Sequence, residues 1–201
     1  MLARNARAAA GRIFTPPARL LLRLGVSPDA VTFAGTVGVV AAALWFYPRG
    51  ELFWGTLVIF LFVFSDTLDG TMARLSGRSS KWGAFLDSTL DRVSDSAVFV
   101  GLALWFAGAG DSLDLVWASL ICLVGGLLVS YTRARAEGLG LDGNVGLAER
   151  TERLIAVLTA TALAGLEVPY VLPIVLWLLA GATWFTVGQR MLHVRRQVLA
   201  E

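Results

Sequence analysis

The sequence predicts an all-α membrane protein: six transmembrane helices preceded by an N-terminal amphipathic interfacial helix. Three observations carry that expectation. Of the 201 residues 56% are hydrophobic and the mean hydropathy is +0.68, well outside the range of a soluble globular chain. Six apolar stretches reach or approach the roughly 20 helical residues that cross a hydrocarbon layer of ~30 Å. The connectors alternate in charge, one set nearly devoid of Arg and Lys and the other rich in them.

Residues 1–25 carry Arg4, Arg7, Arg12, Arg19 and Arg23 with no acid before Asp29. An organelle presequence or signal n-region has such a composition, but no small-residue cleavage site follows an apolar core. The stretch "ARLLLRLG" fits a helix lying on anionic headgroups, opened by Pro16 and Pro17 and ended by "GVSP". Domain 26–192 then holds the spans, expected at about 29–48, 52–75, 84–107, 113–135, 150–168 and 170–192, and residues 193–201 form a tail. Connectors "PRGE", "AGAGDSLD" and "EVPYVLP" contain one basic residue, Arg49, whereas the N-terminus, the "ARLSGRSSK" and "RARAEGLGLDGNVGLAERTER" loops and the tail are arginine-rich. The basic side is cytoplasmic, so both termini face the cytoplasm of a multi-pass cell-membrane protein. With 17 Lys+Arg against 15 Asp+Glu, bulk charge calls for no nucleic-acid partner. The only cysteine, Cys122, excludes an intrachain disulfide, and the only histidine, His193, leaves no zinc cluster.

Four carboxylates stand out at the end of the second apolar run. Asp66 and Asp69 are spaced i, i+3 and Asp87 and Asp91 i, i+4, so each pair shares a helix face. Desolvating unpaired anions costs several kcal/mol each, and Arg74 and Arg92 supply only two positive charges nearby. One or two hard divalent cations, Mg²⁺ or Mn²⁺, suit carboxylate oxygens and leave positions for a substrate phosphate. Gly70, Ala73 and Gly83 are small, which serves either helix packing or the approach of a ligand to the backbone. Asp95 continues the stripe from Asp91 and reads as a structural hydrogen-bonding group.

Taken together, "DTLDGTMARLSGRSSKWGAFLDSTLD" fills the pattern D-x2-D-G-x2-A-R-x8-G-x3-D-x3-D, eight fixed residues in 26 positions. In this it resembles the CDP-alcohol phosphatidyltransferases, and "VSPDAVT", "ICLVGGLLVSYTRARAE" and "ERTERLI" look like stretches of the actinobacterial phosphatidylinositol phosphate synthases among them. The resemblance implies that an alcohol attacks the lipid-side phosphorus of CDP-diacylglycerol and releases CMP. It implies that Asp66, Asp69, Asp87 and Asp91 bind a metal pair, with Asp91 also the catalytic base. It further implies that Asp29, Thr32, Gly70, Ala73, Arg74, Ser80 and Gly83 receive the CDP-lipid, although "SPDA" is also a good helix start that Asp29 would cap.

Ser130, Arg133 and Arg153 fall where the resembled synthases bind the phosphate of inositol 1-phosphate, and Arg190 joins the same basic cluster. Positive-inside anchoring is the competing account of these arginines, and Glu149 and Glu152 are near enough in sequence to pair with them. Glycerol 3-phosphate is an alternative acceptor that the arginines do not separate. A divalent-cation transporter is the alternative from another class, disfavoured by carboxylates at helix ends and by the absence of an internal repeat. A homodimer is the implied assembly, and Gly125 and Gly126 permit close helix contact.

Overall fold

The structure, a computed structural model, describes residues 14–200 except 64, 78, 79 and 148, and the side chains of residues 65–67 lie outside that description. The described residues contain no strand. Helix α1 covers residues 14–23 and ends at Gly25, whose φ of 80° is open to glycine without strain. Pro16 and Pro17 lie in its first turn, while residues 1–13 fall outside the described part. There follow α2 (Pro28–Phe46) with a 3-10 turn at Tyr47–Arg49, α3 (Leu52–Val63), α4 (Ser65–Ser76), α5 (Lys81–Ala107), α6 (Leu113–Glu137), α7 (Arg150–Gly165) and α8 (Val171–Val198).

Among the described residues four stretches are long and apolar enough to cross a membrane: Pro28–Arg49, Leu52–Ser76, Leu113–Glu137 and Val171–Val198. The other two expected spans do not meet that requirement by length and composition. Helix α5 has 27 residues but carries Lys81, Asp87, Asp91, Arg92 and Asp95 among its first 15. Helix α7 has 16 residues, about 24 Å at 1.5 Å per residue, short of a ~30 Å layer. The expected tail is also not separate: α8 runs to Val198, past Arg190 and His193.

Two compact units divide the chain. The first draws on Met1–Ala42 and Leu57–Ala97. In it Gly38 of α2 meets Phe62 of α3; a Cβ there would lie 2.4 Å from the ring, so only glycine admits this approach. The second draws on Ala43–Thr56 and Val98–Glu201. Two of its buried polar pairs cross between distant or successive segments: Tyr47 and Thr56 share a hydrogen bond of 2.9 Å, and the Cys122 thiol donates to the Leu176 carbonyl at 3.2 Å. Gly125 packs on Thr183, where a Cβ would come within 2.7 Å, and Gly126 faces the Arg153 guanidinium. These two glycines, expected to permit contact between copies, are buried within the unit by its own α7 and α8 side chains.

Candidate functional site

Three chain segments of the first unit meet around one cavity of about 280 Å³. Helix α2 starts at Ser27, whose hydroxyl accepts from the Ala30 amide at 3.2 Å, with Pro28 in the first turn. Ser27, rather than Asp29, is therefore the capping group, and Asp29 lines the cavity with Pro28 and Thr32. Helix α4 contributes Asp69, Gly70, Ala73 and Arg74. Ser80 caps α5, accepting from the Gly83 amide at 2.9 Å, and it lines the cavity with Gly83, Ala84 and Asp87.

Asp69 is 6% exposed, and the Thr32 hydroxyl donates to its Oδ2 at 2.5 Å. A short charge-assisted bond of this kind fixes the carboxylate rotamer and offsets part of the cost of burying it. The two glycines border the cavity with no backbone of another helix within 4 Å among the described residues. Among the described residues the approach to a Cβ at Gly70 would be Arg74 Nη1 at 3.5 Å, and at Gly83 the approaches would be Ser80 Oγ at 3.4 Å and Asp29 Oδ1 at 3.9 Å. Side chains at these positions would fill the cavity. Arg74 is exposed, with Nη2 donating to Thr71 at 3.0 Å.

The four aspartates are distributed unequally around this cavity. Asp69 and Asp87 line it, while Asp91, one turn further along α5, is not in its wall and has Oδ2 3.6 Å from Arg92 Nη1. Asp66 belongs to α4, but its side chain lies outside the described residues. Among the described residues no three His, Cys, Asp or Glu side chains form a metal-binding group by themselves. Asp69 and Asp87, the two motif carboxylates that face the cavity alongside Asp29, nevertheless match how Mg²⁺ is commonly held, by one or two acidic side chains completed by water and substrate phosphate. Asp95 is half-buried on α5 beyond Asp91.

The basic residues of the second unit gather along the end of α6. The Ser130 hydroxyl donates to the Gly126 carbonyl at 3.3 Å, and Arg153, 3% exposed, packs over the same glycine. Arg133 is nearly half exposed and bonds Glu137 at 2.9 Å. Arg190, 2% exposed, donates through Nε to the Val145 carbonyl at 2.7 Å and through Nη1 to that of Val129. Glu149 and Glu152 form a reciprocal capping box at the start of α7, the Glu149 amide donating to Glu152 Oε2 at 3.1 Å.

A stripe on α8 holds the α6–α7 loop, and sequence reading did not single it out. Besides Arg190, Thr186 accepts from the Leu147 amide at 3.3 Å. Gln197 grips both backbone groups of Asp142, accepting from its amide at 2.9 Å and donating to its carbonyl at 2.8 Å. His193 Nε2 lies 3.9 Å from Asp142 Oδ2. Thr186, Arg190, His193 and Gln197 are spaced 4, 3 and 4 residues apart and so share one face of the helix, which is the signal that marks them.

Comparison with known proteins adds the following. The family described as CDP-alcohol phosphatidyltransferase matches residues 25–189. The phosphatidylinositol phosphate synthase of Streptomyces avermitilis is 55% identical, the match covering 98% of this chain and 84% of that one. The protein of the same name from Mycolicibacterium smegmatis is 46% identical over 94% of this chain and 86% of its own. A crystal structure of the Mycobacterium tuberculosis phosphatidylinositol phosphate synthase with CDP-DAG bound has a TM-score of 0.86 at 48% identity, covering 91% of this chain and 94% of that chain. A second, in complex with manganese and citrate, has a TM-score of 0.84 at 47% identity, covering 90% and 88%.

Proposed function

This chain belongs to the CDP-alcohol phosphatidyltransferase family, and from that premise we propose that it transfers the phosphatidyl group of CDP-diacylglycerol to a hydroxyl of inositol 1-phosphate, forming phosphatidylinositol phosphate and releasing CMP. The observation that carries this reading is the cavity whose wall unites Asp69, Gly70, Ala73, Arg74, Gly83 and Asp87 of one motif with Asp29, Thr32 and Ser80. The acceptor oxygen bonds to the lipid-side phosphorus, the bond from that phosphorus to the bridging oxygen breaks, and CMP leaves with the electron pair. Asp91 takes the hydroxyl proton as general base. Arg74 holds the pyrophosphate as a fork of donors, and the side-chain space missing at Gly70 and Gly83 admits the nucleotide. Asp66, Asp69, Asp87 and Asp91 hold Mg²⁺, as a pair of ions replaceable by Mn²⁺. When bound, the metal neutralises the pyrophosphate and stabilises the departing phosphate.

On the acceptor side Ser130, Arg133, Arg153 and Arg190 serve the phosphate of inositol 1-phosphate. The names of the 55% and 46% identical relatives support this acceptor over glycerol 3-phosphate. Purified protein supplied with CDP-diacylglycerol and either acceptor, with CMP release as the readout, tests the assignment. Release with inositol 1-phosphate alone is expected; equal or faster release with glycerol 3-phosphate overturns it.

The enzyme works as a homodimer in the cell membrane, with α2, the α3–α4 run, α5, α6, α7 and α8 as six spans and both termini cytoplasmic. Short α7 fits such a span where a flanking arginine reaches the interface, as Arg150 at its start is able to do. Cysteines introduced at Ser112 and at Leu139 should differ in labelling by an impermeant reagent in intact cells, the first accessible and the second protected. Equal labelling contradicts the topology.

A further inference from the structure

A second cavity, of about 300 Å³, lies between the C-terminal ends of α6 and α8. Its floor and walls are largely apolar, with Ala136, Leu139, Met191 and Val194 and the ring of Tyr131. Leu139 and Met191 are 56% and 63% exposed, so the groove opens outward instead of closing over a core. Arg135, in the last turn of α6, and Arg195, in the last turn of α8, border it from opposite sides. Among the described residues these two make no ion pair, whereas Arg133 is bound to Glu137 and Arg190 to two carbonyls. Both helices are apolar enough to span a bilayer, so their last turns stand at headgroup depth.

We infer that this groove binds an anionic membrane phospholipid, its headgroup phosphate between Arg135 and Arg195 and the first part of an acyl chain along Leu139, Met191 and Val194. Arginine recognises phosphate through two parallel N–H donors, and basic pockets between membrane helices on the cytoplasmic side are established places for anionic headgroups. Complementing the helix dipoles would account for one arginine at each helix end. It does not account for an apolar groove between two guanidinium groups that have no carboxylate partner among the described residues. A net negative headgroup is favoured over a zwitterionic one because choline or ethanolamine would bring a cation up to the arginines.

The test is lipid selectivity. The full-length protein is reconstituted in phosphatidylcholine vesicles, and the motionally restricted fraction of spin-labelled phosphatidylglycerol is compared with that of spin-labelled phosphatidylcholine. Wild type should prefer phosphatidylglycerol, and the double variant Arg135→Gln with Arg195→Gln should lose about fivefold of that preference per arginine. Arg196→Gln, outside the groove, should keep it. CMP release in detergent should be unchanged in all three. Met191→Trp fills the groove while leaving both arginines, and it should lower the restricted fraction of both lipids. The inference is overturned if the preference survives the double variant, if Arg196→Gln costs as much, or if Met191→Trp leaves the restricted fraction as it was. A change of oligomeric mass in the double variant overturns it in favour of a second copy of the chain as the occupant.

Discussion

Replacing Asp69 by alanine is expected to lower CMP release by at least ~100-fold while the protein remains folded. Loss of an outer partner of a metal ligand already costs roughly 10- to 100-fold, so removal of a ligand should cost more. Folding should survive because the one bond Asp69 receives from Thr32 has a substitute at hand: the Thr32 hydroxyl is 3.2 Å from the Pro28 carbonyl. Asp91→Asn should also stop turnover, by about 10²- to 10⁴-fold, the range for a general base, yet leave binding of the CDP-lipid near wild type. The two variants therefore separate on one measurement, the affinity for CDP-diacylglycerol in the presence of Mg²⁺. Asp69→Ala should weaken it and Asp91→Asn should not. Turnover at the wild-type rate in Asp91→Asn would remove the base assignment, and wild-type metal dependence in Asp69→Ala would remove the ligand assignment.

Much of this arrangement is legible in the order of residues, for reasons that stop at identifiable places. Helix starts are local: Ser27 before Pro28 and Ser80 before Lys81 satisfy the first amides of α2 and α5 from within a few residues. Local signals mark the start without fixing which side chain serves it, which is why the sequence reading gives the cap to Asp29 while Ser27 holds the amide. The motif's glycines are legible as small residues, but smallness states only that something comes close. At Gly70 that is the space of the cavity, at Gly38 it is Phe62, and at Gly126 it is Arg153. The end of α8 is the clearest loss. Polar residues after an apolar run read as a tail because the partners of Gln197 and Arg190, Asp142 and Val145, lie 55 and 45 residues back along the chain. A hydrogen bond to a backbone group carries no signature in the partner's identity, so the helical stripe from Thr186 to Gln197 is the only trace.

Arg153→Gln should raise the Michaelis constant for inositol 1-phosphate by roughly 10- to 100-fold, the worth of one hydrogen bond to a charged group, and change that for CDP-diacylglycerol by less than about twofold. Among the basic residues of the second unit, Arg153 is the informative one to change. Arg133 is exposed and already paired with Glu137, so its contribution is diluted by solvent and by its partner. Arg190 ties Val129 and Val145 together, and its loss would leave two carbonyls to be satisfied anew, confusing binding with folding. Arg153 is 3% exposed, and the Cβ-less surface of Gly126 gives its guanidinium room to lie flat. Glutamine keeps a donor of similar reach for its structural neighbours and removes the charge. Lysine keeps the charge and removes the planar fork, so Arg153→Lys should recover only part of the acceptor affinity. Arg196→Gln, exposed near the end of α8, controls for the general attraction of a basic surface to phosphate. A rise confined to the acceptor's constant is the signature of lost ground-state binding to that substrate. If Arg153→Gln weakens both substrates equally, or behaves as Arg196→Gln does, then Arg153 anchors the helix at the bilayer surface and the acceptor phosphate is held elsewhere.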